Sequence, residues 1–68
     1  MSTTLARETT TWASPVNGLW TSSRQGEYLG FVESTGTMFL AIGARGEALG
    51  TFDRLNAAKE AVALGGAA

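Results

Sequence analysis

The segment of residues 37–42, Thr-Met-Phe-Leu-Ala-Ile, is the feature that most constrains how this chain folds. Its uninterrupted apolar run predicts a β-strand, whose side chains alternate between two faces. Apolar side chains occur on both faces: Met38, Leu40 and Ile42 on one, Phe39 and Ala41 on the other. Both faces of such a strand need cover, and either the rest of a 68-residue chain or a partner must supply it.

Two further strands are predicted beside this segment. Residues 27–33 are aromatic and β-branched and are bounded by Gly26 and a Ser-Thr-Gly sequence, which is typical of a strand. The three-residue gap ending in Gly36 predicts a tight hairpin. Residues 47–52 follow a second glycine-bounded connection. The sequence therefore predicts a meander of three antiparallel strands.

A single helix is predicted after the third strand. Residues 54–64, RLNAAKEAVAL, are rich in strong helix formers. Asp53 is predicted to cap the helix, and the glycines at 65 and 66 to end it. Leu55, Ala58 and Val62 fall on one face. The predicted fold class is α+β, a three-stranded antiparallel meander with one C-terminal helix packed on one face.

The N-terminal part of the chain leaves two interpretations open. We expect residues 1–16 to be flexible or loosely docked, and residues 17–66 to form a single small domain. Residues 19–22 could then add an edge strand after a turn at Asn17-Gly18. In the alternative, residues 10–22 fold back and lay Trp12 and Trp20 over the second face of the sheet, leaving no surface for a partner.

Catalytic chemistry is not predicted for this chain. It contains no cysteine and no histidine, which excludes disulfides, thiolate or imidazole metal ligands, and nucleophiles activated by histidine. Glu27 and Glu33 are expected on one face, but about 20 Å apart along the strand, too far to act on one bond. We therefore predict a protein that is not an enzyme, with no catalytic residue, no metal and no cofactor.

The longest apolar run is much shorter than a membrane-spanning helix requires. The first twelve residues, MSTTLARETTTW, lack the basic start and apolar stretch of a secretory signal. We therefore expect a cytoplasmic protein with no membrane partner.

Protein binding is the function that the sequence favours. A single short helix with small side chains can cover one face of the sheet. The other face, which is also apolar, would then remain uncovered. Four aromatic residues are candidates for the contact, because aromatic side chains often anchor interfaces: Trp20, Tyr28, Phe31 and Phe39. We predict a small interaction module that acts as a homodimer, an adaptor or a small inhibitor.

The sequence also resembles a DNA-binding family. Residues 28–31, Tyr-Leu-Gly-Phe, and residues 49–53, Leu-Gly-Thr-Phe-Asp, precede an alanine-rich helix. Together they resemble the AP2-type domain, which is also found at the N-terminus of phage and transposon integrases that bind arm-type sites. The resemblance covers residues 28–62 and implies a three-stranded sheet with one helix and an origin in a phage or mobile element.

The resemblance implies DNA binding as the alternative function. Proteins of this family read bases with Arg and Trp side chains on the exposed sheet face, and base reading needs such donors. Here Leu29 stands where a basic residue is expected, and residues 37–42 carry no charge. The basic candidates for phosphate contacts are Arg24, Arg45, Arg54 and Lys59. With a net charge of −1, such binding is expected to be weak and salt-sensitive.

Overall fold

The fold is a five-stranded antiparallel sheet followed by one helix. The computed structural model describes residues 10–67, and the side chains of residues 10–64. The elements are β1 (Thr11–Val16), β2 (Leu19–Arg24), β3 (Glu27–Ser34), β4 (Phe39–Gly43), β5 (Ala48–Phe52) and α1 (Leu55–Ala67). The strands lie in the order β1-β2-β3-β4-β5. The predicted α+β class is confirmed. The three predicted strands and the possible extra strand at residues 19–22 are present, but β1 is a fifth strand that was not predicted, so that residues 19–22 do not form the edge.

An N-terminal hairpin accounts for the two additional strands. β1 and β2 pair antiparallel on either side of Asn17-Gly18, where Gly18 has a φ of 81°. The strand tolerates Pro15 because β1 lies at the edge of the sheet, and the register shifts between Ala13 and Val16. Residues 11–16 are thus part of the sheet and not a loose segment, while residues 1–9 lie outside the described residues.

The helix α1 covers one face of the sheet and contacts β3, β4 and β5. Ala58 and Val62 are 0% exposed, as their spacing predicts. They pack with three side chains of the sheet, namely Leu29, Val32 and Ala41. The core therefore lies between α1 and the three C-terminal strands.

The predicted ends of the helix are only partly correct. The backbone N–H of Ala58 donates to the carbonyl of Arg54 at 3.2 Å. Among the residues that the structure describes, none receives or donates a hydrogen bond with the Asp53 carboxylate, so the predicted cap is not formed. The helix also continues through the two glycines to Ala67, because glycine weakens a helix without necessarily ending it.

A β-bulge in β3 changes which side chains lie under the helix. Ser22 pairs with Gly30, but the next residue, Ser23, pairs with Tyr28. β3 therefore has one extra residue, Leu29, at this point. A bulge of this kind shifts the alternation of side chains on the bulged strand.

A second β-bulge of the same kind occurs in β5. Ala41 pairs with Gly50, but Ile42 pairs with Ala48, which leaves Leu49 as the extra residue. Both bulges thus consist of a leucine followed by a glycine, and both leucines pack with the core under α1.

The glycines are what the bulges require. Gly30 and Gly50 have φ angles of 142° and 139°, which L side chains rarely adopt. At Gly30 a Cβ would also collide with the carbonyl oxygen of Ile42. The hydroxyl of Ser22, a buried side chain with 3% exposure, donates to the Gly30 carbonyl at 3.0 Å. The bulge in β3 therefore requires glycine at position 30 and is held by a hydrogen bond from β2.

Side chains before and after this bulge do not alternate regularly. In a regular strand Tyr28 and Phe31 would lie on different faces, but the extra residue brings both to the face away from α1. The bulge also separates Glu27 from Glu33, so the prediction that they share a face is wrong. Glu33 lies on the face away from α1, whereas Glu27 pairs with Arg24 on the helix side.

The two bulge glycines provide a matched stability test. We expect Gly50→Ala to lower the free energy of unfolding by about 1–3 kcal/mol, because a non-glycine residue is strained at that φ. Gly30→Ala should cost more, because its Cβ also meets backbone of β4. Urea unfolding followed by tryptophan fluorescence measures both. Equal losses would contradict this account of the β3 bulge.

Candidate functional site

The face of the sheet away from α1, here called the open face, is made of three rows of side chains defined by the strand register. The first row is Val16, Leu19, Glu33, Leu40 and Thr51. The second row is Ala13, Thr21, Phe31, Ile42 and Ala48. The third, shorter row is Thr11, Ser23 and Tyr28. No described helix lies on this side, since α1 contacts the core on the other.

The centre of the open face is apolar. Its large aliphatic and aromatic side chains come from β2, β3 and β4: Leu19, Phe31, Leu40 and Ile42. Each is half-buried by its neighbours on the sheet, and none belongs to the group that packs with the core under α1. Phe31 lies directly opposite Ile42. Leu40 and Ile42 are two residues apart on β4, and Leu19 lies diagonally across from Phe31. No described element covers the outer side of these four side chains.

Glu33 is the one charged side chain among the thirteen residues of the three rows. It is exposed, and it lies on the central strand. Leu19 is its register partner on β2 and Leu40 its partner on β4. A carboxylate thus stands between two of the large apolar side chains, in the end row of the open face.

The structure divides the four predicted protein-binding residues between the two faces. Tyr28, which is 47% exposed, and Phe31 lie on the open face. Trp20 and Phe39 lie on the helix side, with ring centroids 5.9 Å apart at 63° in an edge-to-face contact. The expectation that Phe39 lies near the open face is therefore wrong.

The alternative in which residues 10–22 cover the open face is also wrong. The hairpin of β1 and β2 extends the sheet sideways, and its tryptophans point to the helix side. Trp20 packs against Phe39, and the ammonium of Lys59 lies 5.0 Å from the ring centroid of Trp12.

Three of the four large apolar side chains of the open face, Leu19, Leu40 and Ile42, were not among the predicted contacts. The alternation of residues 37–42 did place Leu40 and Ile42 together, which was a usable signal. Leu19 and the position of Glu33 between two leucines could be found only once β1 and β2 were known to widen the sheet.

The four basic candidates do not form a single patch. Arg24 is half-buried under the helix, where its Nη2 donates to Thr10 Oγ1 at 3.0 Å and to the Ala63 carbonyl at 3.4 Å. Its Nε is buried and has no hydrogen-bond partner in the described part of the chain. The side chain thus serves to hold the start of β1 against the end of α1.

The other three basic residues lie elsewhere. Arg45 is exposed in the β4–β5 loop, where its backbone N–H donates to Glu47 Oε1 at 2.9 Å. Arg54 immediately precedes α1, at the opposite end of β5, and Lys59 lies over Trp12. None of the four belongs to the open face.

A groove of about 310 Å³ lies between β1 and α1. It is lined by five residues: Trp12, Asn56, Lys59, Glu60 and Ala63. It marks where the edge strand docks beside the helix. Residues 10–67 hold no group of three or more acidic, cysteine or histidine side chains arranged for a metal ion.

The helix α1 is too short to cross a membrane, and no other helix occurs in the described residues. Comparison with known proteins gave no match to a family model, to a curated protein or to a solved structure.

The division of aromatic residues between the two faces predicts different costs of truncation. Phe39→Ala should lower the free energy of unfolding by about 3 kcal/mol, because it removes the edge-to-face partner of Trp20 and leaves a cavity. Phe31→Ala should cost about 1 kcal/mol, because its site opens to solvent. Urea denaturation of both variants measures the difference. A larger loss for Phe31→Ala would contradict the assignment of faces.

The contact between Lys59 and Trp12 predicts a modest electrostatic contribution. Lys59→Met keeps the length of the side chain and removes the charge, so we expect a loss of about 0.5–1 kcal/mol. Arg54→Met, which removes a cation at an exposed position with no ring beside it, is the control. Urea denaturation should show a larger stability loss for Lys59→Met than for Arg54→Met. In a Trp12→Leu background the two losses should become equal. A larger loss for Lys59→Met in that background would show that the ring is not involved.

Proposed function

We propose that this chain is a non-enzymatic protein-binding module that uses its open face as the interface. The observation that carries the proposal is the one-sided cover of the sheet. α1 packs on one face, and the other face presents four large apolar side chains together on three adjacent strands: Leu19, Phe31, Leu40 and Ile42.

The pattern differs from that of an ordinary solvated sheet face. Antiparallel sheets with one face in water alternate apolar and polar residues, so that the wet face is polar. Here that face carries the four large apolar side chains, with the exposed Val16 beside Leu19 and the polar Thr11, Ser23 and Thr51 at the margins. Large apolar side chains exposed together on a surface mark interaction sites.

The DNA-binding alternative is less well supported by the arrangement of charges. Its basic candidates lie in separate places off the open face, and one of them, Arg24, is engaged in internal hydrogen bonds. That alternative, the family resemblance and the cytoplasmic location stay predictions.

Site-specific photo-crosslinking tests the proposal. A photoreactive phenylalanine analogue placed at position 40, on the open face, should give adducts of defined mass in cells that carry the native partner. The same group at Asn56, which is exposed on α1, is the control. We expect Ile42→Glu to suppress the adducts at position 40, because it places a charge in the apolar centre.

Two outcomes would contradict the proposal. One is equal labelling from positions 40 and 56, and the other is labelling at position 40 that persists in the folded Ile42→Glu variant.

A further inference from the structure

We infer that the partner places an amphipathic helix on β2, β3 and β4, with one lysine or arginine of its apolar side paired with Glu33. This inference rests on the proposed function and specifies the chemistry of the element that the open face accepts. Three features of the open face support it: the width of its apolar centre, the position of its single charge and the spacing of its rows.

The apolar centre has the width of one helix. Its large side chains lie on three adjacent strands, which span about 10 Å at the usual strand spacing. The diameter of a helix with its side chains is about 10–12 Å. On the other side of this same sheet, α1 also contacts three adjacent strands. The outer strands β1 and β5 add one further apolar side chain, Val16, which is 59% exposed, and otherwise small or polar side chains: Thr11, Ala13, Ala48 and Thr51.

The carboxylate of Glu33 determines which side chain the partner helix must carry. Any element that covers Leu19 and Leu40 also covers Glu33, because the two leucines are its register partners on either side. A carboxylate withdrawn from water is costly unless it is paired and hydrogen-bonded. The described basic side chains lie off this face, so the partner has to supply the cation. An arginine or lysine satisfies the carboxylate with charge-assisted hydrogen bonds.

A second copy of this chain fits the face less well. In a face-to-face dimer each open face would bring one Glu33, in the end row of the face, and no cation to pair with it. Both carboxylates would then be withdrawn from water without a partner, which is strongly unfavourable. The open face is therefore not complementary to itself.

The two main rows match the rise of a helix. Glu33 and Phe31 are two residues apart on β3, which corresponds to about 7 Å along the strand. Positions i and i+4 of a helix are separated by about 6 Å along its axis. A helix aligned with the strands would thus place a basic residue at Glu33 and an apolar residue, four positions away, on Phe31 and Ile42.

A displayed library of 18-residue helices tests this inference directly. The library keeps an Ala- and Leu-rich helical background and randomises the positions of one face, and it is selected against the full chain. We expect the recovered helices to carry one lysine or arginine within an apolar stripe.

Variants of two glutamates on β3 then measure the role of the charge. Glu33→Lys should weaken binding of the recovered helices at least tenfold, whereas Glu27→Lys, on the same strand but the helix side, should change it less than twofold. Replacing the basic residue of the helix by glutamate should restore binding to the Glu33→Lys protein. Thermal unfolding of each variant verifies that it is folded.

The outcomes separate this inference from the proposed function. Recovered helices that need Phe31 and Leu40 but lack a basic residue, or that bind Glu33→Lys normally, would overturn the inference and leave the open face as an interface. Recovered helices unaffected by Phe31→Ala, or no recovered helix at all, would overturn the inference, and the crosslinking from position 40 then decides the proposed function independently. A dimer in sedimentation equilibrium that Ile42→Glu abolishes would identify a second copy as the occupant and would also overturn the inference.

Discussion

The two leucine–glycine bulges are the constraint on which the rest of the structure depends. In both β3 and β5 an extra leucine is accommodated because the next residue is a glycine at a φ that other residues rarely adopt. Each bulge brings its leucine to the side of α1. In a regular β3, Leu29 would share a face with Phe31, and Tyr28 would lie under the helix. The bulges thereby decide which apolar side chains form the core and which remain outside it.

The sheet carries several small residues under α1. They include Gly30, Ala41, Gly43 and Gly50, and they lie among larger side chains such as Trp20, Phe39 and Phe52. The larger aliphatic side chains of β4, Leu40 and Ile42, are left for the other face. The helix therefore closes the core on one side of the sheet, and Leu40 and Ile42 remain uncovered on the other. The proposed interface follows from this division.

The sequence allowed the C-terminal part of the fold to be predicted better than the N-terminal part. The apolar run of residues 37–42 and the alanine-rich helix have clear periodicity, and the Ala58 and Val62 face follows from it. β1 was not predicted because Pro15 argues against a strand, whereas a strand at the edge of a sheet tolerates proline. The faces on which Tyr28, Phe31 and the two glutamates lie could not be predicted, because a bulge shifts the alternation of side chains. The bulge is visible only in the pairing of β2 with β3.

Methyl NMR with a soluble paramagnetic agent tests the central claim most directly, because it reports which face each side chain occupies in the free protein. The account predicts strong broadening of the Leu19, Leu40 and Ile42 methyl signals and protection of those of Leu29, Val32 and Val62. Nuclear Overhauser contacts should connect Leu29 with Val62. Protection of Ile42 together with broadening of Leu29 would show that the sheet is not bulged as described, and would contradict the account.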